Sequence, residues 1–290
     1  MATGVYVAAA GQVATGVRYD PVVRPGEASM TARRVAAQRL SFRRLAAPWG
    51  GDPGADQRLQ ADVAGGLDVP ATPMTRYLQA RTGFVDRAVV DALDRGIDQV
   101  VMVGAGYDGR SSRYAKPGVR WYELDHPDTQ ADKRRRLARL EIETDAVRFI
   151  AADFGRDDVS AALGAAGHDH LRQSLFACEG VAAYLPLDVL SRLLTSLRRS
   201  AASGSLLVIT ISLIPESESE AERRAGLSEA VGRMGEPLVS AVPRSEVAAT
   251  LASSGWRIVR ATDPTGLDIM TSPRSAAFVV AEPASAPGTE

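Results

Sequence analysis

Short apolar runs alternate with helical segments through the middle of the chain, and this alternation constrains the fold more than any other feature. Strands that alternate with helices in this way form parallel βαβ units with right-handed crossovers. The pattern predicts an α/β fold with a doubly wound, mostly parallel, seven-stranded Rossmann-like sheet. Five strands are predicted at Gln99–Val103, Val119–Leu124, Val147–Ala151, Leu175–Cys178 and Leu206–Ile211, with helices at Pro127–Glu141, Asp157–Ala166 and Pro186–Ala201.

The segments on either side of this core are predicted to form a helical cap and a lid within one domain. Thr31 can cap a helix that runs to about Ala47, a loop rich in Gly and Pro follows, and Met74–Arg95 has the apolar spacing of a second helix. Further helices are predicted at Pro215–Gly235 and Ser245–Ser254, and a terminal hairpin at Trp256–Ala261 and Ala276–Ala281. The expected layout is a cap at 1–75, a cofactor-binding core at 76–211, a lid or acceptor wall at 212–255, terminal strands at 256–281 and a disordered tail at 282–290.

Composition narrows the class of protein. The 34 basic and 35 acidic residues give a formal net charge of -1, which argues against nucleic acid or a membrane surface as a partner. The basic run Lys133–Arg136 is predicted to be a solvated helix face. The single cysteine, Cys178, cannot form an internal disulfide, so we expect a cytoplasmic protein. We predict no metal site, and the sequence is compatible with a homodimer.

The loop Gly104-Ala105-Gly106-Tyr107-Asp108-Gly109 follows the first predicted strand and has two interpretations. Its glycines are spaced as G-x-G-x-x-G, and Asp125 ends the next strand, as in a dinucleotide site where an acid binds a ribose. The same loop could be a glycine turn without a ligand. A lone glycine fingerprint does not decide between an NAD-dependent oxidoreductase and another nucleoside-binding protein.

Acids at the ends of successive strands favour S-adenosylmethionine over a dinucleotide. Carboxylates would repel the pyrophosphate of a dinucleotide, whereas S-adenosylmethionine has no phosphate and is cationic at its sulfonium. The helix after the glycine loop is also short, because Lys116-Pro117-Gly118 ends it. The acids are Asp108, Asp125, Asp153 and Glu179, and all four are expected at the carboxyl edge of the sheet.

Each acid has a cofactor role and a structural alternative. Asp125 is placed to accept both ribose hydroxyls, or it caps the helix from Pro127. Asp153 could accept from the adenine amino group with Phe154 packed on the ring, or it caps the turn before Asp157. Glu179 could accept from the methionine amine, or it forms an internal salt bridge. Arg81 could bind the cofactor carboxylate.

Three motifs resemble those of the leucine carboxyl methyltransferase family, especially its bacterial members that act on small molecules. The residues Gly104-Ala105-Gly106-Tyr107-Asp108-Gly109-Arg110 are similar to GAGxDTR, and Glu123-Leu124-Asp125-His126-Pro127 to ExDxP. The third motif, Glu179-Gly180-Val181-Ala182-Ala183-Tyr184-Leu185-Pro186, is similar to EGxxxYLP. Their order and spacing match together from about Thr31 to Ile211, which is far more specific than the glycine loop alone.

The resemblance implies a class I methyltransferase that binds S-adenosylmethionine. It assigns Arg81 to the cofactor carboxylate, Gly104 to the methionine moiety, Asp125 to ribose, Asp153 and Phe154 to adenine, and Glu179 to the amine; Ala105, Gly106, Asp108 and His126 complete the predicted cofactor set. The chain departs from the family at Gly109, where threonine is usual and glycine is expected to loosen the turn. An N-terminal basic residue of the eukaryotic members has only Arg33 and Arg34 as candidates.

The expected reaction is O-methylation of a small-molecule acceptor, most simply a carboxylate. A carboxylate is ionised at neutral pH, whereas a phenol or alcohol with a pKa of ~10 or more needs a general base. None of the histidines, His126, His168 and His170, is well placed as a base. Phenol or hydroxyl methylation is the alternative, and a non-catalytic cofactor-binding protein is another; a role in secondary metabolism is an analogy. Tyr107, Tyr184, Arg110 and Arg244 are the candidate acceptor contacts, with Tyr107 and Tyr184 as positioning residues.

Overall fold

The seven strands form one sheet in the order β3-β2-β1-β4-β5-β7-β6. We describe a computed structural model, which covers residues 26–46, 48–67 and 69–285. The first five strands pair in parallel, whereas β7 is antiparallel to both β5 and β6. This topology confirms the predicted fold class and the terminal hairpin. The strands are β1 Gln99–Val103, β2 Arg120–Asp125, β3 Val147–Ala151, β4 Ser174–Cys178, β5 Leu206–Ser212, β6 Trp256–Thr262 and β7 Ala276–Pro283.

Helices cover both faces of this sheet. Leu193, Leu194 and Leu197 of the seventh helix pack in one buried cluster with β4 and β5, while Val85, Val89 and Leu93 of the third helix pack on the other face. The helices are α1 Met30–Arg39, α2 Pro53–Ala64, α3 Pro73–Asp94, α4 Arg110–Arg113, α5 Pro127–Arg139, α6 Val159–Ala165, α7 Leu187–Arg199, α8 Glu218–Gly232 and α9 Val247–Ala252, with short 3-10 turns at Ala182–Tyr184 and Arg244–Glu246.

Parallel register brings the ends of the central strands to one edge. Val103, the last residue of β1, lies opposite Leu124 of β2 and Cys178 of β4. The residues that follow these three positions are therefore neighbours in space although they are far apart in sequence. This edge is where ligands bind in open α/β sheets.

Two helix predictions in the cap are wrong. The first helix is capped by Ser29, whose hydroxyl accepts from Ala32 N, and it ends at Arg39 rather than near Ala47, which itself lies outside the described residues. The stretch predicted as a loop contains α2. Asp52 caps α2 by accepting from Ala55 N, and Pro53 occupies the first turn, where it sacrifices no helical hydrogen bond.

Two further expectations change at the surface. Lys133 belongs to the predicted solvated run, yet it is buried, and its ammonium donates to the carbonyl of Asp108 (2.6 Å) and to Glu123. The predicted tail from Glu282 is wrong at its start, because β7 continues to Pro283, which pairs with Trp256. Residues 286–290 lie outside the described part of the chain.

Candidate functional site

A cavity of ≈ 170 Å³ opens at the carboxyl edge of the sheet, between the strand ends and α1. We call it the cofactor cavity. It brings together nine of the ten predicted cofactor-binding residues, all except Asp108. The nine are Arg81, Gly104, Ala105, Gly106, Asp125, His126, Asp153, Phe154 and Glu179, and the lining also includes Tyr107 and Tyr184.

The glycine loop takes a backbone conformation that its sequence permits. Gly104 and Gly106 have φ of 65° and 49°, in the left-handed region that glycine enters without steric cost. A Cβ built on Gly104 would also overlap Cγ2 of Val181, in the loop after β4. The absence of a side chain therefore allows the two loops to approach each other beside the cavity.

Asp125 turns its carboxylate toward the glycine loop instead of capping a helix. Its oxygens accept from the backbone N–H groups of Gly106 and of His126 (2.7 Å). The cap of α5 is His126, whose ring nitrogen accepts from Asp128 N (3.4 Å). Loss of solvation at this partly enclosed position raises the pKa of Asp125 to about 6. Each oxygen keeps a lone pair with which it can accept a ligand hydroxyl.

This raised pKa predicts a pH dependence of cofactor affinity. Above pH 6 the Asp125 carboxylate is ionised and accepts hydroxyl groups; below it, the carboxyl binds a proton and loses acceptor capacity. We expect the Kd for S-adenosylhomocysteine to be roughly tenfold higher at pH 5 than at pH 7.5, measured by calorimetry. The group's contribution to apo stability has the opposite direction: it is largest below the unfolded pKa of 3.8 and is lost as pH rises through about 6.

Two variants test which side chain causes this pH dependence. Asp125→Asn should bind more weakly with a Kd that no longer changes across this range. His126→Gln should retain the dependence, because the carboxyl and not the neighbouring imidazole is responsible. A dependence that disappears in His126→Gln but persists in Asp125→Asn would contradict the assignment.

Asp153 and Phe154, which follow β3, both line the cofactor cavity. One carboxylate oxygen of Asp153 accepts from Gly155 N (2.9 Å), and Phe154 packs against the main hydrophobic cluster. The N–H groups of Arg156 and Asp157 donate to the backbone carbonyl of Asp153 (2.9 and 2.8 Å), so Asp153 also caps the turn before Asp157, as its structural alternative predicted. The pair offers an acceptor and an aromatic face to a ligand ring.

Asp108 and Arg110 do not reach the cavity, which corrects two predictions. Arg110 has 0% exposure, and its guanidinium donates to Asp86 (2.7 Å), to Glu179 (2.7 Å) and to Asp108. Asp108 is 3.1 Å from the guanidinium of Arg39 as well. Burial alone would raise the pKa of Asp108, but these two arginines hold it below its usual range. Arg110 therefore stabilises the floor of the site and cannot contact an acceptor.

These contacts belong to a continuous buried ion network. Among the described residues it joins five arginines to four acids, so it has one positive charge in excess. The arginines are Arg39, Arg44, Arg81, Arg110 and Arg113, and the acids are Asp56, Asp86, Asp108 and Glu179. The excess charge favours an anionic group at the edge of the network that faces the cavity.

Glu179 combines the internal salt bridge with a place in the cavity wall. Its oxygens accept from Arg110 (2.7 Å), Arg81 (3.0 Å) and Arg39 (3.2 Å). Burial alone would raise the pKa of Glu179, but the three arginines hold it well below its usual range. The carboxylate is therefore ionised at neutral pH and fixed in position.

Arg39 lines the cofactor cavity and was missed by the sequence reasoning. It is 8% exposed, and its Nε has no hydrogen-bond partner among the described residues. It is a more suitable N-terminal basic residue than Arg33 or Arg34, neither of which lines this cavity. The spacing of Thr31, Val35 and Arg39, four residues apart on one helix face, was the signal that could have revealed it.

Gly109 is required by packing instead of loosening the turn. A Cβ at this position would overlap Oδ1 of Asp56 and lie 2.7 Å from its Cγ. Asp56 is held there by Arg44 (3.3 Å) and Arg113 (2.6 Å). Asp56 of α2 therefore occupies the space that a side chain at position 109, such as the family's threonine, would need.

A second cavity of ≈ 510 Å³ adjoins the first, and we call it the acceptor cavity. Thr31, Val35, Arg81, Gly180 and Tyr184 line both cavities. The remaining walls come mainly from α1, α3, α8 and the segment that follows α8. Many of their side chains are apolar, among them Met74, Leu78, Leu227, Val231, Met234 and Leu238. Its volume is within the range of about 300–1,000 Å³ that is typical of small-molecule sites.

Two other predicted acceptor contacts point elsewhere. Arg244 lies outside the acceptor cavity: its guanidinium donates to Glu216 (3.0 Å) and to the carbonyl of Arg274 (3.1 Å), and so ties the base of the lid to the loop before β7. The Tyr107 hydroxyl donates to Asp132 on α5 (2.6 Å). Of the four candidates, only Tyr184 lines the acceptor cavity.

The residues at the cofactor cavity suit S-adenosylmethionine. Arg39, whose Nε has no hydrogen-bond partner among the described residues, and the excess positive charge match its carboxylate. Asp125 provides acceptors for hydroxyls. Among the residues that the structure describes, no three or more His, Cys, Asp or Glu side chains are grouped so that they could hold a metal ion. The described helices include none with the length and hydropathy of a membrane span.

Comparison with known proteins identifies the family. The model of the leucine carboxyl methyltransferase family matches residues 32–198. A Mycobacterium avium protein, provisionally named an S-adenosyl-L-methionine-dependent methyltransferase, is 34% identical over 268 residues that cover 88% of this chain and 83% of that protein. A Mycolicibacterium smegmatis protein with a similar provisional name is 32% identical over 231 residues, with coverage of 71% and 74%.

Solved structures agree on the fold. A provisionally described methyltransferase from Thermobifida fusca has a TM-score of 0.57 at 17% identity, with coverage of 90% of this chain and 97% of that one. At this identity the likeness shows the fold alone. The family match, together with relatives named as S-adenosyl-L-methionine-dependent methyltransferases, identifies the cofactor and removes the dinucleotide alternative. The chain therefore belongs to the leucine carboxyl methyltransferase family and is an S-adenosylmethionine-dependent methyltransferase.

Proposed function

We propose that the protein is a carboxyl O-methyltransferase that converts a small, largely apolar carboxylic acid to its methyl ester. The supporting observation is the lining of the acceptor cavity. Its charged side chains are all arginines, namely Arg34, Arg81 and Arg233, while the rest of the described lining is apolar or neutral. Such a cavity favours an anion with an apolar body.

The same lining supplies no general base. It contains no Asp, Glu, His, Lys or Cys among the described residues. Burial raises the pKa of Tyr184 to about 12, so its hydroxyl stays protonated and acts as a hydrogen-bond donor. A phenol or alcohol would have to lose its proton without help, whereas a carboxylate is already ionised.

The chain contributes alignment and desolvation to the reaction. When bound, S-adenosylmethionine supplies a methyl group activated by its sulfonium. Arg81 lines both cavities, and its Nε is held by Glu179 (3.0 Å), so the guanidinium lies at their common wall. There it can orient an anion for in-line attack, while the apolar walls exclude water.

The chemical test is the stability of the methylated product. Incubation with methyl-labelled cofactor and a panel of apolar carboxylic acids and phenols should give a labelled product that releases volatile methanol in mild alkali. Methyl esters hydrolyse under these conditions, whereas phenol ethers do not. A labelled product that survives alkali would contradict carboxyl methylation and favour the hydroxyl alternative.

Charge reversal at the rim of the acceptor cavity should weaken the binding of an acid. Arg34 on α1 and Arg233 after α8 are both exposed there. We expect Arg34→Glu combined with Arg233→Glu to raise the KM for a carboxylate acceptor about tenfold by electrostatic repulsion. The KM for S-adenosylmethionine should change less than about twofold, since neither side chain lines the cofactor cavity.

The control is Arg95→Glu. Arg95 is an exposed arginine that follows α3, close to the start of β1 and therefore at the opposite edge of the sheet. It changes the net charge without altering the cavity, so both KM values should stay as in the wild type. An equal rise in acceptor KM in Arg95→Glu would show that long-range charge, and not the rim, is responsible.

A further inference from the structure

Glu236, a buried acid in the segment after α8, connects the lid to the start of α1. Its Oε1 accepts from the backbone N–H groups of Met30 (2.6 Å) and Thr31 (3.2 Å). Its Oε2 accepts from the hydroxyls of Ser29 (2.8 Å) and Thr31. We propose that Glu236 is a positioning residue that fastens the lid to α1 and thereby holds together the wall shared by the two cavities.

Glu236 supplies hydrogen-bond acceptors and a negative charge at the N-terminus of α1. The first N–H groups of a helix have no acceptor within the helix, and they lie at the positive end of its dipole. The first turn of α1 contains no acidic residue, and the hydroxyl of Ser29 accepts from one N–H of this turn, that of Ala32 (3.0 Å). Glu236 supplies the missing negative charge from 206 residues away in sequence, at 5% exposure. Every hydrogen-bond partner of its side chain, among the described residues, belongs to residues 29–31.

The contact lies where the cofactor and acceptor cavities meet. Ser29 and Glu236 line the cofactor cavity, and Thr31 lines both cavities. Met234 and Leu238, on either side of Glu236 in the chain, line the acceptor cavity. A movement of α1 away from Glu236 would therefore open both cavities at once.

A second attachment of the lid does not involve α1. The backbone N–H of Val239 and the hydroxyl of Ser240 donate to the carbonyls of Ala183 (2.8 Å) and Ala182 (2.9 Å). These bonds hold the segment beside Tyr184 whether or not Glu236 is present. Loss of the Glu236 carboxylate should therefore release α1 locally and leave the fold intact.

The experiment measures the binding of S-adenosylhomocysteine, which requires no acceptor, so its outcome is independent of the proposal on carboxyl methylation. In Glu236→Ala the side chain has no acceptor, so two N–H groups and two hydroxyls lose this partner, whereas a glutamine amide could still donate to both hydroxyls. We expect the Kd and the dissociation rate, from calorimetry and stopped-flow displacement, each to rise about tenfold. The KM for S-adenosylmethionine should rise with them while kcat changes less, a division that a purely structural role would not produce.

The matched control is Glu222→Ala, which replaces an exposed acid on α8 outside both cavities, and this variant should bind as the wild type does. Affinity and dissociation rate unchanged within about twofold in Glu236→Ala would overturn the proposal. Hydrogen exchange on the wild type gives a reading that needs no variant. Peptides spanning residues 29–35 and 234–240 should gain protection together when S-adenosylhomocysteine binds, and protection confined to the glycine loop would also overturn it.

Discussion

Replacing Arg110 with methionine should lower the melting temperature of the protein by roughly 10 °C, since breaking a buried ion pair costs about 3–5 kcal/mol. Methionine has a similar length but cannot donate. Asp86, Asp108 and Glu179 would each lose one of their guanidinium partners, and the Thr82 carbonyl would lose its donor at 3.0 Å. Buried carboxylates with incomplete pairing favour the unfolded state, where water solvates them.

The matched control is Arg192→Met on α7. Arg192 forms an ion pair with Asp188 (2.8 Å), but these side chains are 59% and 65% exposed. Exposed pairs of this kind contribute about 1 kcal/mol or less, so the melting temperature should change by only a few degrees. Equal effects of the two variants in thermal and urea unfolding would show that the Arg110 contacts do not stabilise the fold.

Part of this network could be anticipated from the sequence. The pattern of alternating strands and helices predicts which residues follow the strands, and the parallel register then brings those residues to one edge. Sequence position does not determine which way each side chain turns. Asp108 follows β1 and Asp125 ends β2, yet Asp108 faces inward because Arg39 and Arg110 surround it, whereas Asp125 faces the cavity.

The inward orientation of Asp108 also weakens the charge argument for the cofactor. A carboxylate neutralised by two buried arginines exerts little repulsion on a phosphate. The cofactor was therefore predicted correctly, but the argument that the Asp108 carboxylate would repel a dinucleotide was wrong. The combined motifs and the family match are the stronger support.

The roles of Gly109 and Glu236 could not be predicted from the sequence, because they depend on contacts between distant segments. Gly109 depends on Asp56 in α2, a helix whose signal was obscured by the surrounding glycines and prolines. Glu236 accepts hydrogen bonds from the N-terminus of α1, which is 206 residues away in sequence, and no local sequence pattern indicates this role. Such partners become apparent only once the chain is folded, because neither residue of the pair is unusual by itself.

The glycine loop offers the second large effect: Gly104→Ala should strongly weaken cofactor binding. The left-handed φ of 65° costs a residue with a side chain about 1–2 kcal/mol. The new Cβ would also overlap Cγ2 of Val181, so the loops after β1 and β4 would have to separate at the cavity. We expect the Kd for S-adenosylhomocysteine to rise at least about a hundredfold by calorimetry.

Two controls separate the contributions of strain and overlap. Gly118→Ala has the same kind of backbone conformation, with φ of 83° and no atom within 4 Å of its added Cβ, so it should reduce stability slightly and leave binding unchanged. Combining Gly104→Ala with Val181→Ala removes Cγ2 and leaves the Val181 Cβ at 3.6 Å, an ordinary contact. If close approach of the two loops is what builds the cofactor cavity, the double variant should regain most of the lost affinity. If backbone strain alone is responsible, Val181→Ala should restore nothing, and the requirement for glycine would come from φ and not from the space between the loops.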